Sequence, residues 1–246
     1  MGEQIKVTGM VIKNMPIGEY DSRVVLLTRE RGEITVFAKG ARRQNSPFLA
    51  GTRPFAFGEF TLYGGRSSYG FSGAEIKNYF TGLSETIETT TMAFYFLELS
   101  EYFAREGMDG SETVLLLYAS FLALQNKKIP DELVRSIFEL KTLTINGIYP
   151  NVFSCAHCGT KENLRWLSEK KGTVYCEECK EKAGDVLKLT PSLLYTMQFI
   201  ISKPVKNLYT FVVTKEIQSE LEKICKRLIG KYVHRTLHSL EIMENL

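Results

Sequence analysis

Four cysteines constrain this chain more than any other feature: Cys155 and Cys158, then Cys176 and Cys179. They read C-x2-C, 17 intervening residues, C-x2-C, and they are four of the chain's five cysteines. At that spacing each pair forms a knuckle presenting two sulfurs to one metal, so the stretch predicts a four-cysteine site. Gly159 follows the first knuckle and Gly172 supports a turn between the two arms. A disulfide pair would suit an exported chain, but the start, Met1-Gly2-Glu3-Gln4-Ile5-Lys6, has neither a basic nor an apolar signal region. Iron in a rubredoxin-like site uses the same four ligands and stays open as an alternative. Structural zinc is the expected cofactor, because four thiolates close a tetrahedral ion and leave no position for water or substrate.

The bulk numbers set the frame. The chain has 246 residues, 44% hydrophobic and 24% charged, the profile of a soluble globular protein. No apolar run approaches a membrane span of about 20 residues, and unpaired thiolates favour a reducing compartment. A cytoplasmic protein with no membrane association is expected. The net charge of +3 is uneven: residues 1–80 hold 11 Lys and Arg against 7 Asp and Glu, whereas residues 81–246 hold 20 against 21. A positive first part suggests a polyanionic partner there.

The periodicity changes near Phe80. Before it, apolar and β-branched segments at 5–13, 23–28, 33–39, 55–63 and 70–80 alternate with Pro and Gly punctuation, predicting five short strands. Five strands in 80 residues suit a small closed barrel of the OB type, with an SH3-like barrel as runner-up. After it, helices are expected over 88–105, 111–124 with Ser111 as cap, and 130–147. Two more are expected from Thr190-Pro191 to Ser202 and from Thr214, the last with a stripe Ile217, Leu221, Ile224, Leu228, Val233, Leu237 and Leu240. The expected class is α+β multi-domain: an OB-fold barrel over 1–80, then a helical domain over 81–246 with a zinc-binding insertion at about 151–184.

Lys39-Gly40-Ala41-Arg42-Arg43 follows a predicted strand, and so falls in a loop on the barrel rim. Three cations within five residues can neutralise adjacent phosphates, and Gly40 lets the backbone approach them. Phe55, Phe57 and Phe60 are expected to fill the barrel interior. Tyr63, Tyr69 and Phe71, flanking Gly64-Gly65-Arg66, are candidates for a solvent-facing stacking surface. His157 lies inside the first knuckle but is not needed as a ligand. His234 and His238 stand four apart on the last predicted helix, without the Glu a metalloprotease helix requires. No nucleotide-binding loop, nucleophile elbow or deaminase motif is present, so an enzyme is not expected.

These residues also carry a resemblance. Gly18-Glu19-Tyr20-Asp21-Ser22-Arg23-Val24-Val25, then Leu26-Leu27-Thr28, Gly32 and Lys39-Gly40-Ala41-Arg42-Arg43, followed by a helical region with an inserted C-x2-C…C-x2-C, resemble the bacterial RecO family of DNA repair proteins across the whole chain. The family's Tyr-Gly-Glu-x-Asp order appears here as Ile17-Gly18-Glu19-Tyr20-Asp21. The resemblance implies a recombination mediator that binds single- and double-stranded DNA and anneals complementary strands. It also implies help in loading a recombinase onto DNA coated by single-strand-binding protein. Implied partners are RecR, often RecF, and the acidic tail of single-strand-binding protein. The implied location is the bacterial cytoplasm, at the nucleoid. Lys39, Arg42 and Arg43 become phosphate contacts, with Lys13 and Arg23 added from the same predicted strands. Arg135, Lys141 and Arg227 are the candidate cations for the tail. An RNA-binding or transcription accessory factor, or an interaction scaffold with a passive barrel, are the competing readings.

Overall fold

In a computed structural model, residues 3–64, 68–184 and 186–245 are described. They divide into two compact units, Met1–Gln125 with Leu237–Leu246, and Asn126–Thr236.

The first unit is built on a closed five-stranded barrel. Strands β1 (Gln4–Ile17), β2 (Asp21–Thr28), β3 (Gly32–Ala38), β4 (Phe57–Gly64) and β5 (Tyr69–Asn78) take the order β1-β2-β3-β5-β4. β1 closes the ring by pairing with two neighbours. Its first half, Gln4 to Met10, runs against β4, and its second half, Gly9 to Ile17, runs against β2. An irregularity between Val11 and Lys13 bends the strand from one partner to the other. β3 and β5 complete the circle through a short parallel pairing at Val36–Tyr69 and Phe37–Gly70. The interior holds Val7, Val11, Val24, Leu26, Ile34, Val36, Phe60, Leu62 and Phe71.

Of the three phenylalanines expected inside the barrel, only Phe60 belongs to that core. Phe55 and Phe57 face helices α1 (Ile87–Phe103) and α2 (Ser111–Asn126) instead. Phe55 packs on Phe94 (ring centroids 4.8 Å apart) and Phe121 (5.5 Å), and Phe57 packs on Tyr118 (4.8 Å). Phe80 joins them against Tyr118 and Phe121 at 5.2 and 5.3 Å. This second, aromatic core therefore crosses residue 80, where the period changes. Phe55 holds its ring there at the cost of a left-handed backbone, φ 70°. The α2 start also shifts: Ser111 lies within the helix, and its N–H donates to Asp109 Oδ1 at 2.9 Å.

The second unit contains α3 (Asp131–Ile145), α4 (Pro191–Ser202) and α5 (Lys215–Tyr232). Thr190 and Thr214 cap the last two by accepting from Leu193 and Ile217. Between α3 and α4 lies a small sheet of β6 (Leu164–Ser168), β7 (Thr173–Cys176) and β8 (Leu187–Lys188), ordered β7-β6-β8. The long last helix divides. α5 ends at Tyr232, Val233 is extended, and α6 (His238–Glu244) belongs to the first unit, where the Ser239 N–H donates to Glu98 of α1. The apolar stripe from Ile217 to Leu240 thus serves two cores, not one. No helix among the described residues is long and apolar enough to cross a membrane.

Phe121 is fully buried where Phe55, Phe80 and Phe96 converge. Phe121→Ala should cost about 3–5 kcal/mol through the cavity left behind. Hydrogen exchange should then quicken in β4 and β5 as well as in α1 and α2. Acceleration confined to the helices would contradict a shared core.

Candidate metal centre and nucleic-acid interface

The two cysteine knuckles sit on different local frames that converge. The first is a tight turn: the Cys155 carbonyl accepts from Gly159 N–H at 2.9 Å, and Cys155 N–H donates to the Thr160 carbonyl at 2.8 Å. Gly159 has φ 77°, a conformation a side chain resists, so glycine is required there. The second begins at the end of β7 and continues into a 3-10 turn at Glu177–Lys182, which carries Cys179. Ala156 N–H donates to the Val174 carbonyl at 2.9 Å and ties the first knuckle to β7. The four sulfurs consequently lie within 4.8 Å of one another, and none forms a disulfide.

The spacing fits an ion. Tetrahedral Zn–S bonds of about 2.3 Å place sulfurs about 3.8 Å apart, and Cys158 Sγ lies 3.8 Å from Cys176 Sγ. The thiols do not all ionise alike. Burial alone pushes the Cys155 thiol up, but hydrogen bonds from the Cys158, Cys176 and His157 backbone amides lower it to about 6. Burial and the neighbouring sulfurs push Cys179 up to about 12. Left alone the cluster therefore keeps Cys179 protonated, and a divalent cation would favour all four thiolates. His157 is exposed and stands outside the cluster, as do His234 and His238, which the break after Tyr232 removes from a common helix.

At the rim of the barrel the basic segment forms a series of turns after β3. Asp21 organises it: its Oδ1 accepts the Gly40 N–H at 2.7 Å. Gly40 has φ 66°, so its freedom of backbone is used. Arg42 is tied to the β1–β2 loop, with its backbone N–H donating to the Tyr20 carbonyl at 2.9 Å and Nη1 donating to the carbonyls of Gly18 and Glu19 at 3.3 Å. The Arg43 guanidinium lies over the Tyr20 ring, 5.3 Å from its centroid. Lys39, Arg42 and Arg43 are exposed, and among the described residues none is neutralised by a carboxylate. Such a turn offers two held guanidinium groups and an exposed ammonium to phosphates.

The other two cations differ. Arg23 is exposed on the outer face of β2. Lys13 is paired with Glu101 of α1 at 2.5 Å, so a phosphate would have to displace a carboxylate. Of the aromatics expected at the surface, Tyr63 is exposed and Tyr69 meets Arg31, while Phe71 is buried against Phe48 and Phe60. Gly65 and Arg66 lie outside the described residues.

Sequence reasoning used Glu19-Tyr20-Asp21 only as a resemblance and missed its structural work. A signal existed: β2 and β3 are antiparallel neighbours, so the start of β2 must meet the end of β3, as Ser22 opposite Ala38 shows. The three cations proposed for an acidic tail are also already engaged. Arg135 pairs with Glu139, Lys141 is buried and donates to the Ile201 and Lys203 carbonyls at the end of α4, and Arg227 binds both oxygens of Glu169. The second unit instead offers a groove of about 510 Å³ lined by Pro191, Tyr195, Thr196, Phe199, Phe211 and Val213. The Lys203 ammonium lies 5.8 Å from the Phe199 ring centroid.

Comparison with known proteins agrees with this architecture. Residues 1–80 match the family model for the recombination protein O N terminal, and residues 84–241 match that for the recombination protein O C terminal. DNA repair protein RecO of Alkaliphilus metalliredigens is 31% identical over 244 residues, covering 98% of this chain and 99% of the relative. RecO of Acetivibrio thermocellus is 27% identical over 98% of this chain and 97% of the relative. RecO of Clostridium kluyveri is 29% identical over 98% and 93%.

Purified without chelator, the protein should contain one metal ion per chain by elemental analysis. Cys176→Ser should abolish it and open Val152–Gly184 to proteolysis, since such sites contribute on the order of 10 kcal/mol in isolated modules. Thiolates must form for the metal to bind, so acidification should release it and rising pH should tighten it. Metal-free protein with a protease-resistant insertion would contradict this site.

Proposed function

Since the chain belongs to the RecO family of DNA repair proteins, we propose that it is a recombination mediator whose barrel rim grips DNA backbones through Lys39, Arg42 and Arg43. The carrying observation is that three exposed cations without a carboxylate partner stand on one rim turn, where Asp21 holds the Gly40 backbone, the Gly18 and Glu19 carbonyls hold Arg42, and the Tyr20 ring lies under Arg43. Binding of this kind reads phosphate, not sequence, and suits both single- and double-stranded DNA. Screening phosphate repulsion between two complementary strands is also what annealing requires, and it needs no acid or base, so no enzymatic step is proposed. Arg23 extends the same surface along β2. Lys13 is set aside because Glu101 holds it.

The metal in this reading is structural zinc. A closed site of four thiolates leaves no open position, and what the ion supplies is a covalent-strength tie between the two knuckles. The helical part takes the protein partners. The acidic tail of single-strand-binding protein, with its apolar end, fits the groove beside α4, where Lys203 is the available cation. RecR, and often RecF, complete the expected assembly, in the bacterial cytoplasm at the nucleoid.

Alanine at Lys39, Arg42 and Arg43 together should weaken binding about equally for every DNA sequence. Each lost contact should flatten the plot of log affinity against log salt by roughly 0.7 to 0.9. Annealing of strands coated by single-strand-binding protein should slow in parallel. An unchanged salt slope would place the DNA site elsewhere, and a strong preference for RNA in competition would favour an RNA-binding factor.

A further inference from the structure

β3 alternates strictly between inside and outside. Ile34, Val36 and Ala38 point into the barrel, and Glu33, Thr35 and Phe37 point out. Phe37 breaks the polarity of that outer row: it is a large apolar ring, 39% exposed, with no aromatic contact among the described residues. One exposed ring means little alone, since folded proteins show many. What gives this one meaning is the row it stands in. Directly opposite on β2 is Arg23, itself opposite Met15 on β1. On the other side, β5 presents Gly70, which has no side chain, and Tyr63 of β4 is the next residue across. Lys39 follows two residues later, about 7 Å further along the chain. A second aromatic–cation pair, Tyr20 beneath Arg43, stands on the adjoining loop, with Tyr20 45% exposed.

We propose that Phe37 is a base-stacking platform, flanked by Arg23, that gives the barrel a preference for single-stranded over double-stranded DNA. The proposal rests on the reading of the rim as a DNA surface and adds to it the group that meets the bases. Phosphates are presented alike by one strand or two, so Lys39, Arg42 and Arg43 cannot distinguish them. In a duplex the base faces are covered by their neighbours, and a ring on a strand meets only backbone and groove. In a single strand one base face can leave its neighbour and lie on Phe37, a contact tolerant of sequence because every base has a π-face. Among the described residues no carboxylate pairs with Arg23, so its guanidinium is open to a ligand.

The test uses the full-length protein and fluorescence anisotropy with a labelled oligo-dT strand and a duplex of equal length at one salt concentration. Phe37→Ala should weaken single-strand binding roughly 5- to 150-fold, the range for losing one stacked base. Duplex binding and the salt slope on both substrates should stay as in the parent protein. Phe37→Trp should keep single-strand affinity. Equal losses on strand and duplex would overturn the proposal, since Phe37 would then be shaping the rim. No loss on either, while the three rim cations still matter, would overturn it and leave the DNA reading intact. Loss of a protein partner with DNA binding unchanged would overturn it in favour of a docking surface. If the parent protein binds neither substrate in a salt-dependent way, the DNA reading fails and the platform fails with it.

Discussion

The closed barrel depends on two places where strands approach more tightly than a side chain permits, and glycines stand at both. Gly9 of β1 lies directly opposite Gly58 of β4. A Cβ on Gly9 would stand 2.2 Å from the Leu27 carbonyl of β2, and one on Gly58 would stand 2.1 Å from the Glu75 carbonyl of β5. Neither obstacle is a flexible side chain; both are backbone. At this point β1 is passing from β4 to β2, so β4, β1 and β2 crowd together where the ring is joined. The join closes the ring around the β2–β3 pair, whose antiparallel register sets the start of β2 beside the end of β3 on one rim.

From that rim the site follows with few further requirements. The β1–β2 loop is short, the β3–β4 segment begins with the cations, and one carboxylate bridges them. Asp21 accepts the Gly40 N–H, while the loop carbonyls of Gly18 and Glu19 accept from Arg42. Asp21 forms no ion pair with the rim cations among the described residues, and its Oδ1 accepts the Gly40 N–H. The second unit solves a separate problem. Its insertion has strands of only five, four and two residues, around a small set of buried side chains that includes Leu167 and Val174. Four thiolates around one ion would add a tie between the two knuckles.

Legibility in the sequence tracked how local each cause was. The metal cluster was readable because its spacing is a covalent fact, and the sulfurs do converge. The five strands appeared in order, though β1 runs to Ile17 and not to Lys13: Pro16 looked like an end and is tolerated beside the hairpin, opposite Ser22. What failed was whatever depended on a distant partner. Phe55 and Phe57 read as barrel interior from alternation, but Phe94, Tyr118 and Phe121 claim them. Lys13, Lys141 and Arg227 likewise have partners far along the chain, Glu101, the Ile201 and Lys203 carbonyls, and Glu169, which periodicity does not reveal. The stripe through Leu240 read as one helix because periodicity does not reveal which core each apolar residue enters.

The central claim is that geometry, imposed by Asp21, makes the rim cations a DNA site. Asp21→Ala tests it directly, because two effects then oppose each other. Removing a negative charge beside three cations should strengthen attraction to phosphate if charge alone matters. Releasing the Gly40 N–H should let the turn drift and weaken binding if positioning matters. The account predicts weaker DNA binding for Asp21→Ala, measured by equilibrium titration at fixed salt, with Asp21→Asn closer to the parent because its amide oxygen still accepts. Affinity that rises, or stays unchanged, in Asp21→Ala would contradict it.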